Sequence, residues 1–127
     1  KKERLDKQFI LTSLLEKHRE SDATLDQILI SYQKSVKDPE NEFVHLYEVR
    51  DALSKNFGSK TKAIKKLGIT NSEWDEIGKL ANTLPLKQGR HRGEFVGKLR
   101  DAESAELEVA RRSTVHLICE YLKFLEM

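Results

Sequence analysis

Helix start and stop signals recur along this chain at intervals that leave room for little except a set of short, packed helices. Thr24-Leu25-Asp26-Gln27 and Thr70-Asn71-Ser72-Glu73 both have the form of a capping box. In such a box a hydroxyl and a carboxylate or carboxamide three residues later satisfy free N–H groups at a helix start. Asp38-Pro39 reads as an N-cap followed by a proline at the first helical position, where its missing N–H costs nothing. Gly58-Ser59 stops one helix and caps the next, which Gly68 stops in turn. Between these signals apolar residues recur with the helical period, and the alternation that marks strands joined by two-residue turns does not occur.

The pattern predicts six helices. The first runs from about Lys2 to Glu20, with Leu5, Phe9, Leu11, Leu14, Leu15 and His18 near one broad face. The second starts at Thr24, buries Leu25, Ile28, Leu29 and Tyr32, and stops before Asp38. The third, opened by Asp38-Pro39, carries Phe43, Leu46, Tyr47, Arg50 and Leu53 at helical spacing. A short basic helix from Ser59 to Leu67 follows, then a fifth whose Trp74, Ile77, Gly78 and Ala81 face the core. The last helix is capped by Asp101. Its stripe of Leu107, Ala110, Thr114, Leu117, Ile118, Tyr121, Leu122 and Leu125 is long enough to make it central. The expectation is an all-α, single-domain helical bundle of about six helices, with a long basic loop, Leu84 to Arg100, before the C-terminal helix.

With 127 residues the chain can bury one core without disulfides or metals. Its 38% hydrophobic and 35% charged content is too apolar for a disordered chain and too polar for a membrane span. No apolar run reaches transmembrane length and no signal-peptide pattern is present, so a cytoplasmic location without a membrane partner is expected. The chain opens Lys1-Lys2-Glu3-Arg4 without an initiator Met and is expected to be part of a longer one. A single cysteine, Cys119, excludes an internal disulfide and a Cys-rich zinc site and reads as a buried thiol. His18, His45, His91 and His116 are scattered, so neither a metal site nor a cofactor is expected.

The net charge of +2 conceals an asymmetry. Residues 54–100 hold eleven Lys or Arg against four acids, a balance of +7, and the remainder carries −5. A block of this sign attracts polyanions. It ends in the Leu84–Arg100 loop, and structureless connections of that length in small domains are often functional or disordered. Arg90-His91-Arg92 lies between Gly89 and Gly93. A guanidinium fork suits bidentate phosphate contact, and His91 between two cations is expected to stay neutral and able to accept a proton. Lys87, Arg90, Arg92, Lys98 and Arg100 on the loop, with Lys62 and Lys66 on the short basic helix, form the expected nucleic-acid-binding set. The structural alternative has Arg90 and Arg92 pairing with acids such as Glu94 or capping the fifth helix.

Two further patterns bear on function. Ile64, Gly68 and Trp74 have the spacing of a helix-turn-helix, but the second helix would bring Glu73, Asp75 and Glu76 towards DNA phosphates. Arg111 and His116, with four residues between them, have the Arg–His spacing of a family of helical ribonucleases. On a continuous helix five steps turn side chains roughly 140° apart. They form a reserve catalytic pair.

The segment from Glu42 to Leu125 resembles the HEPN superfamily of prokaryotic helical bundles, found in toxin–antitoxin and abortive-infection systems. The residues that carry the resemblance are Leu46-Tyr47-Glu48-Val49-Arg50, Ala81-Asn82, Gln88-Gly89-Arg90-His91-Arg92-Gly93 and Glu106-Leu107-Glu108-Val109-Ala110-Arg111. Some members of that superfamily cleave RNA and others only bind or dimerise. In Arg90-His91 the two residues are adjacent, whereas the family motif separates them by four to six. The resemblance implies a module that engages RNA or another phosphate-bearing ligand, in bacterial defence. A metal-independent ribonuclease would use His91 as general base and Arg90 or Arg92 to stabilise charge on phosphorus, with Arg111 and His116 in reserve. The alternatives are a non-enzymatic interaction or dimerisation domain, with a homodimer or cognate protein as partner, and third a helix-turn-helix DNA-binding domain.

Overall fold

In the computed structural model, which describes residue 13 and residues 15–127, the chain is an all-α bundle. Residues 15–19 form the described end of α1. They are followed by α2 (Ala23–Lys37), α3 (Glu42–Phe57), α4 (Lys60–Leu67), α5 (Asn71–Gly78) and α6 (Ser104–Leu125). Leu5, Phe9, Leu11 and Leu14, expected on the apolar face of the first helix, lie outside the described residues. Leu15 packs against the core.

Three helix starts differ from the sequence reading, and at each a carboxylate is bonded in a way the local pattern does not announce. Asp22, rather than Thr24, caps α2. Its Oδ1 accepts the Leu25 N–H at 2.8 Å and the Tyr121 hydroxyl at 2.9 Å, so one atom closes a helix end and ties it to α6. Thr24 instead donates to Asn56 Oδ1 at the far end of α3. Asp38-Pro39 begins only a 3-10 turn, Pro39–Asn41, before α3 starts at Glu42. The Asp38 carboxylate takes the side chains of Asn41 and His45, both at 2.9 Å, in place of a backbone N–H. Those bonds, His45 first, hold Asp38 below the ordinary aspartate range. Asp101 does not cap α6. Glu103 occupies that position, its N–H donating to Glu106 Oε1 at 2.9 Å. Asp101 turns towards Gln88 and Lys87.

The other caps follow the sequence. Ser59 Oγ accepts from Lys62 N, and Thr70 with Glu73 closes a capping box. Gly58 and Gly68 end α3 and α4.

The core has two connected parts. In one, Leu25, Ile28, Val49, Leu53, Leu67, Trp74, Ile77, Leu117 and Tyr121 bring α2 to α6 together. In the other, Phe43 and Leu46 of α3 meet Leu80, Ala81, Ala110 and Leu86. Leu86 belongs to the long loop and is 1% exposed. Burying a leucine to that extent contributes about 1.5–3 kcal/mol, so the loop has its own anchor. Among the described residues no helix is long and apolar enough to cross a membrane.

Candidate functional site

The loop is held at both ends. Arg100 N donates to Pro85 O at 3.0 Å and Lys87 N to Arg100 O at 2.9 Å, so its two limbs run side by side for one residue pair. At its tip a 3-10 turn, Arg92–Phe95, follows His91. Between limb and tip, the backbone N–H of Arg90 donates to Ala81 O at 2.6 Å. Ala81 belongs to a π-helical turn, Lys79–Thr83, that continues α5. Such turns leave the regular ladder and re-aim side chains. Here the next side chain, Asn82, meets Arg90: its Oδ1 accepts from Nη1 at 2.9 Å.

Arg90 also packs against α3. Its guanidinium carbon is 3.9 Å from the centroid of the Tyr47 ring, and that of Arg50 is 4.4 Å from the same centroid. Tyr47 and Arg50 are three residues apart and so share one stripe of α3. Arg50 continues over Trp74, at 5.4 Å, and donates to Trp74 O at 3.1 Å. It can do so because residue 78 is glycine: a Cβ there would lie 2.4 Å from Arg50 Nη1. Burial would raise the Tyr47 pKa, but bonding and charge from Arg50, with Asn82 and the Arg90 charge, hold it below the ordinary phenol value. Arg90 is exposed, whereas Tyr47, Arg50 and Asn82 are half-buried. The group is therefore a fixed cationic point on the surface, supported from beneath.

The remaining loop cations have different settings. Arg92 donates to Asn41 Oδ1 and to Lys87 O, which joins the loop to the α2–α3 corner. Arg100 makes two bonds to Glu106, at 2.8 and 3.0 Å, and that fork holds the Glu106 pKa down to about 2. Lys87 is 3.7 Å from Asp101 and lines, with Glu40, Gln88, Arg92 and Asp101, a cavity of about 350 Å³. Lys98 and His91 are exposed, and neither side chain has a hydrogen-bond or ion-pair partner among the described residues. Lys62 and Lys66 are exposed on α4, a separate element from the loop.

Arg111 and His116 serve other contacts. Arg111 grips the buried Glu42 carboxylate through Nε and Nη2, at 2.5 and 2.9 Å. His116 lies between Glu73, at 2.5 Å from Nδ1, and Glu120, at 3.3 Å from Nε2. The two therefore reach different elements, as five helical steps require. Nor does Arg111 join Arg90: its partner Glu42 and the Arg90 partner Tyr47 are five steps apart on α3 and diverge in the same way. On α4 and α5, Trp74 is buried, Glu73 is taken by His116 and Asp75 by Lys60 at 2.7 Å. Cys119 is half-buried, and burial pushes its thiol pKa up. Among the described residues no group of three His, Cys, Asp or Glu is placed to hold a metal ion.

Comparison with family models, curated proteins and solved structures finds no match for this chain. The site rests on its own geometry. That geometry unites three of the segments that carry the resemblance: Tyr47 and Arg50 from the first, Asn82 from the second and Arg90 from the third. Reading the sequence did not single out Tyr47, Arg50 or Asn82 as members of one site. The available signal was the three-residue spacing of Tyr47 and Arg50, an aromatic and a cation on one stripe at the edge of a core face.

Proposed function

We propose that this chain is a HEPN-like helical module, acting in the cytoplasm in bacterial defence, that binds RNA or another phosphate-bearing ligand through the surface of its basic loop. The observation that carries this reading is the setting of Arg90. It is exposed, bonded to Asn82 and set over the Tyr47 ring, yet most of its five N–H donors remain for a ligand. A guanidinium fixed in this way loses little freedom when it takes a phosphate. Lys87, Lys98 and the exposed His91 lie on the same loop, and Arg92, bonded only to neutral oxygens, adds to its positive field, whereas the charge of Arg100 is met by Glu106. Titration of a fluorescent oligoribonucleotide tests it. Binding that Arg90→Ala weakens supports the reading, and unchanged binding refutes it.

If the module cleaves RNA, it does so without a metal, with His91 as general base and Arg90 stabilising charge on phosphorus. Loss of cleavage in His91→Ala supports that assignment, and full retention removes it. A second reading, an interaction or dimerisation domain, is favoured by the outer face of α6. There Val115, 38% exposed, lines with Ser104, Glu108, Arg111 and Arg112 an open cavity of about 510 Å³. Sedimentation at high concentration tests it, and a strictly monomeric mass counts against a homodimer.

A further inference from the structure

The arginines of this protein differ in what they touch. Arg19, Arg100, Arg111 and Arg112 each pair with a carboxylate. Arg92 bonds to the neutral oxygens of Asn41 and Lys87. Arg50 and Arg90 form no ion pair among the described residues, and both lie against Tyr47. Two like charges brought to one aromatic ring repel each other. The negative faces of the ring offset only part of that repulsion, and no described acid completes the balance. Gly78 gives Arg50 the room to take this position, and Asn82 fixes the Arg90 fork. The arrangement is short of negative charge by two units.

We propose that Arg50, Arg90 and Asn82, gathered around the Tyr47 phenol, form a seat for a terminal phosphate monoester in preference to an internal phosphodiester. The proposal rests on the phosphate-binding reading above and narrows it. A monoester carries close to two negative charges at neutral pH and three free oxygens, enough to bond the exposed Arg90 fork and to offset the charge of the half-buried Arg50 as well. An internal diester carries one charge and leaves one of the two cations uncompensated. The Tyr47 hydroxyl, beside Arg50 and Asn82, supplies a further donor to a phosphate oxygen. The terminal phosphate belongs either to an RNA end or to a free nucleotide.

The test uses the full chain and one short oligoribonucleotide prepared with a 5′-hydroxyl, a 5′-phosphate or a 3′-phosphate, alongside adenosine, adenosine monophosphate and inorganic phosphate. A terminal phosphate should tighten oligonucleotide binding on the order of tenfold. The gain should fade as pH drops through about 6, where the monoester takes up its second proton. Binding of adenosine monophosphate but not adenosine would identify a free nucleotide as sufficient, and a gain confined to the oligonucleotide would identify the strand end. Either result supports the seat. Arg90→Gln, on an exposed side chain, should abolish the gain, and Gly78→Ala should do the same by displacing Arg50. A melting curve checks that each variant is folded. Equal binding of phosphorylated and hydroxyl oligonucleotides, or a gain that survives in folded Arg90→Gln, overturns the seat and leaves RNA binding by the loop intact. No binding of any RNA or phosphate overturns both.

Discussion

The guanidinium carbon of Arg90 lies 3.9 Å from the centre of the Tyr47 ring, which fastens the middle of the basic loop to α3. The contact gives the loop a fixed conformation where its composition alone suggests a free one. Replacing Tyr47 with Leu should cost about 0.5–2 kcal/mol from this pair and loosen the loop. Hydrogen exchange at the Arg90 amide, now bonded to Ala81 O, reads that loosening directly. Exchange as slow as in the parent would show that Tyr47 does not hold the loop.

Leu86 is the second fastening. Leu86→Ala should destabilise the bundle by about 2–4 kcal/mol, as expected for truncating a buried leucine. It should also weaken ligand binding, because the limb that leads to Arg90 loses its anchor. A change within experimental error in urea unfolding would mean that the loop is peripheral to the core.

These two anchors mark where the sequence could be read and where it could not. The helices were legible because capping and periodicity are local: Ser59, Thr70 and Gly68 act on atoms a few residues away. Starts at Asp22, Glu42 and Glu103 were not: the bonds at Asp22 and Glu103 are as local, but Thr24 and Asp101 offered competing signals close by, and at α3 Asn41 and His45 take the Asp38 carboxylate. For the same reason the loop was legible as basic and Arg90 as a candidate, while its partners Tyr47, Arg50 and Asn82 could be joined to it only in three dimensions. Arg111 and His116 show the converse. Their spacing was visible, but Glu42 and Glu73, which give them structural contacts, were remote.

Arg111 is accordingly expected to matter for stability. Its carboxylate partner Glu42 has a side chain only 5% exposed, so Arg111→Ala strands a buried charge. The loss should be roughly 2–3 kcal/mol, against about 0–1 kcal/mol for Arg112→Ala, whose pair with Glu108 is exposed. Adding Glu42→Gln to Arg111→Ala should restore part of the difference. Equal effects of the two arginine substitutions in chemical denaturation would refute this.

Acid should weaken the junction between the loop and α6. The folded pKa of Glu106 is about 2, depressed chiefly by Arg100 from an ordinary 4.5. A depressed carboxylate contributes stability that is present above its unfolded pKa and lost as pH falls through the folded one. The loss should therefore run from about pH 4.5 down to 2. Melting temperatures across that window should fall less in Arg100→Gln than in the parent, and parallel curves would remove the pair from the acid response.

The most direct measurement is the affinity for an oligoribonucleotide as a function of salt, for the parent and for a variant carrying Arg90→Ala and Arg92→Ala. Parent binding should weaken steeply with salt. The variant should bind more weakly and with a shallower slope, the difference being about 0.7 for each phosphate of a single strand that these two arginines neutralise. Identical affinities and slopes for the two proteins would contradict a phosphate-binding role for the loop.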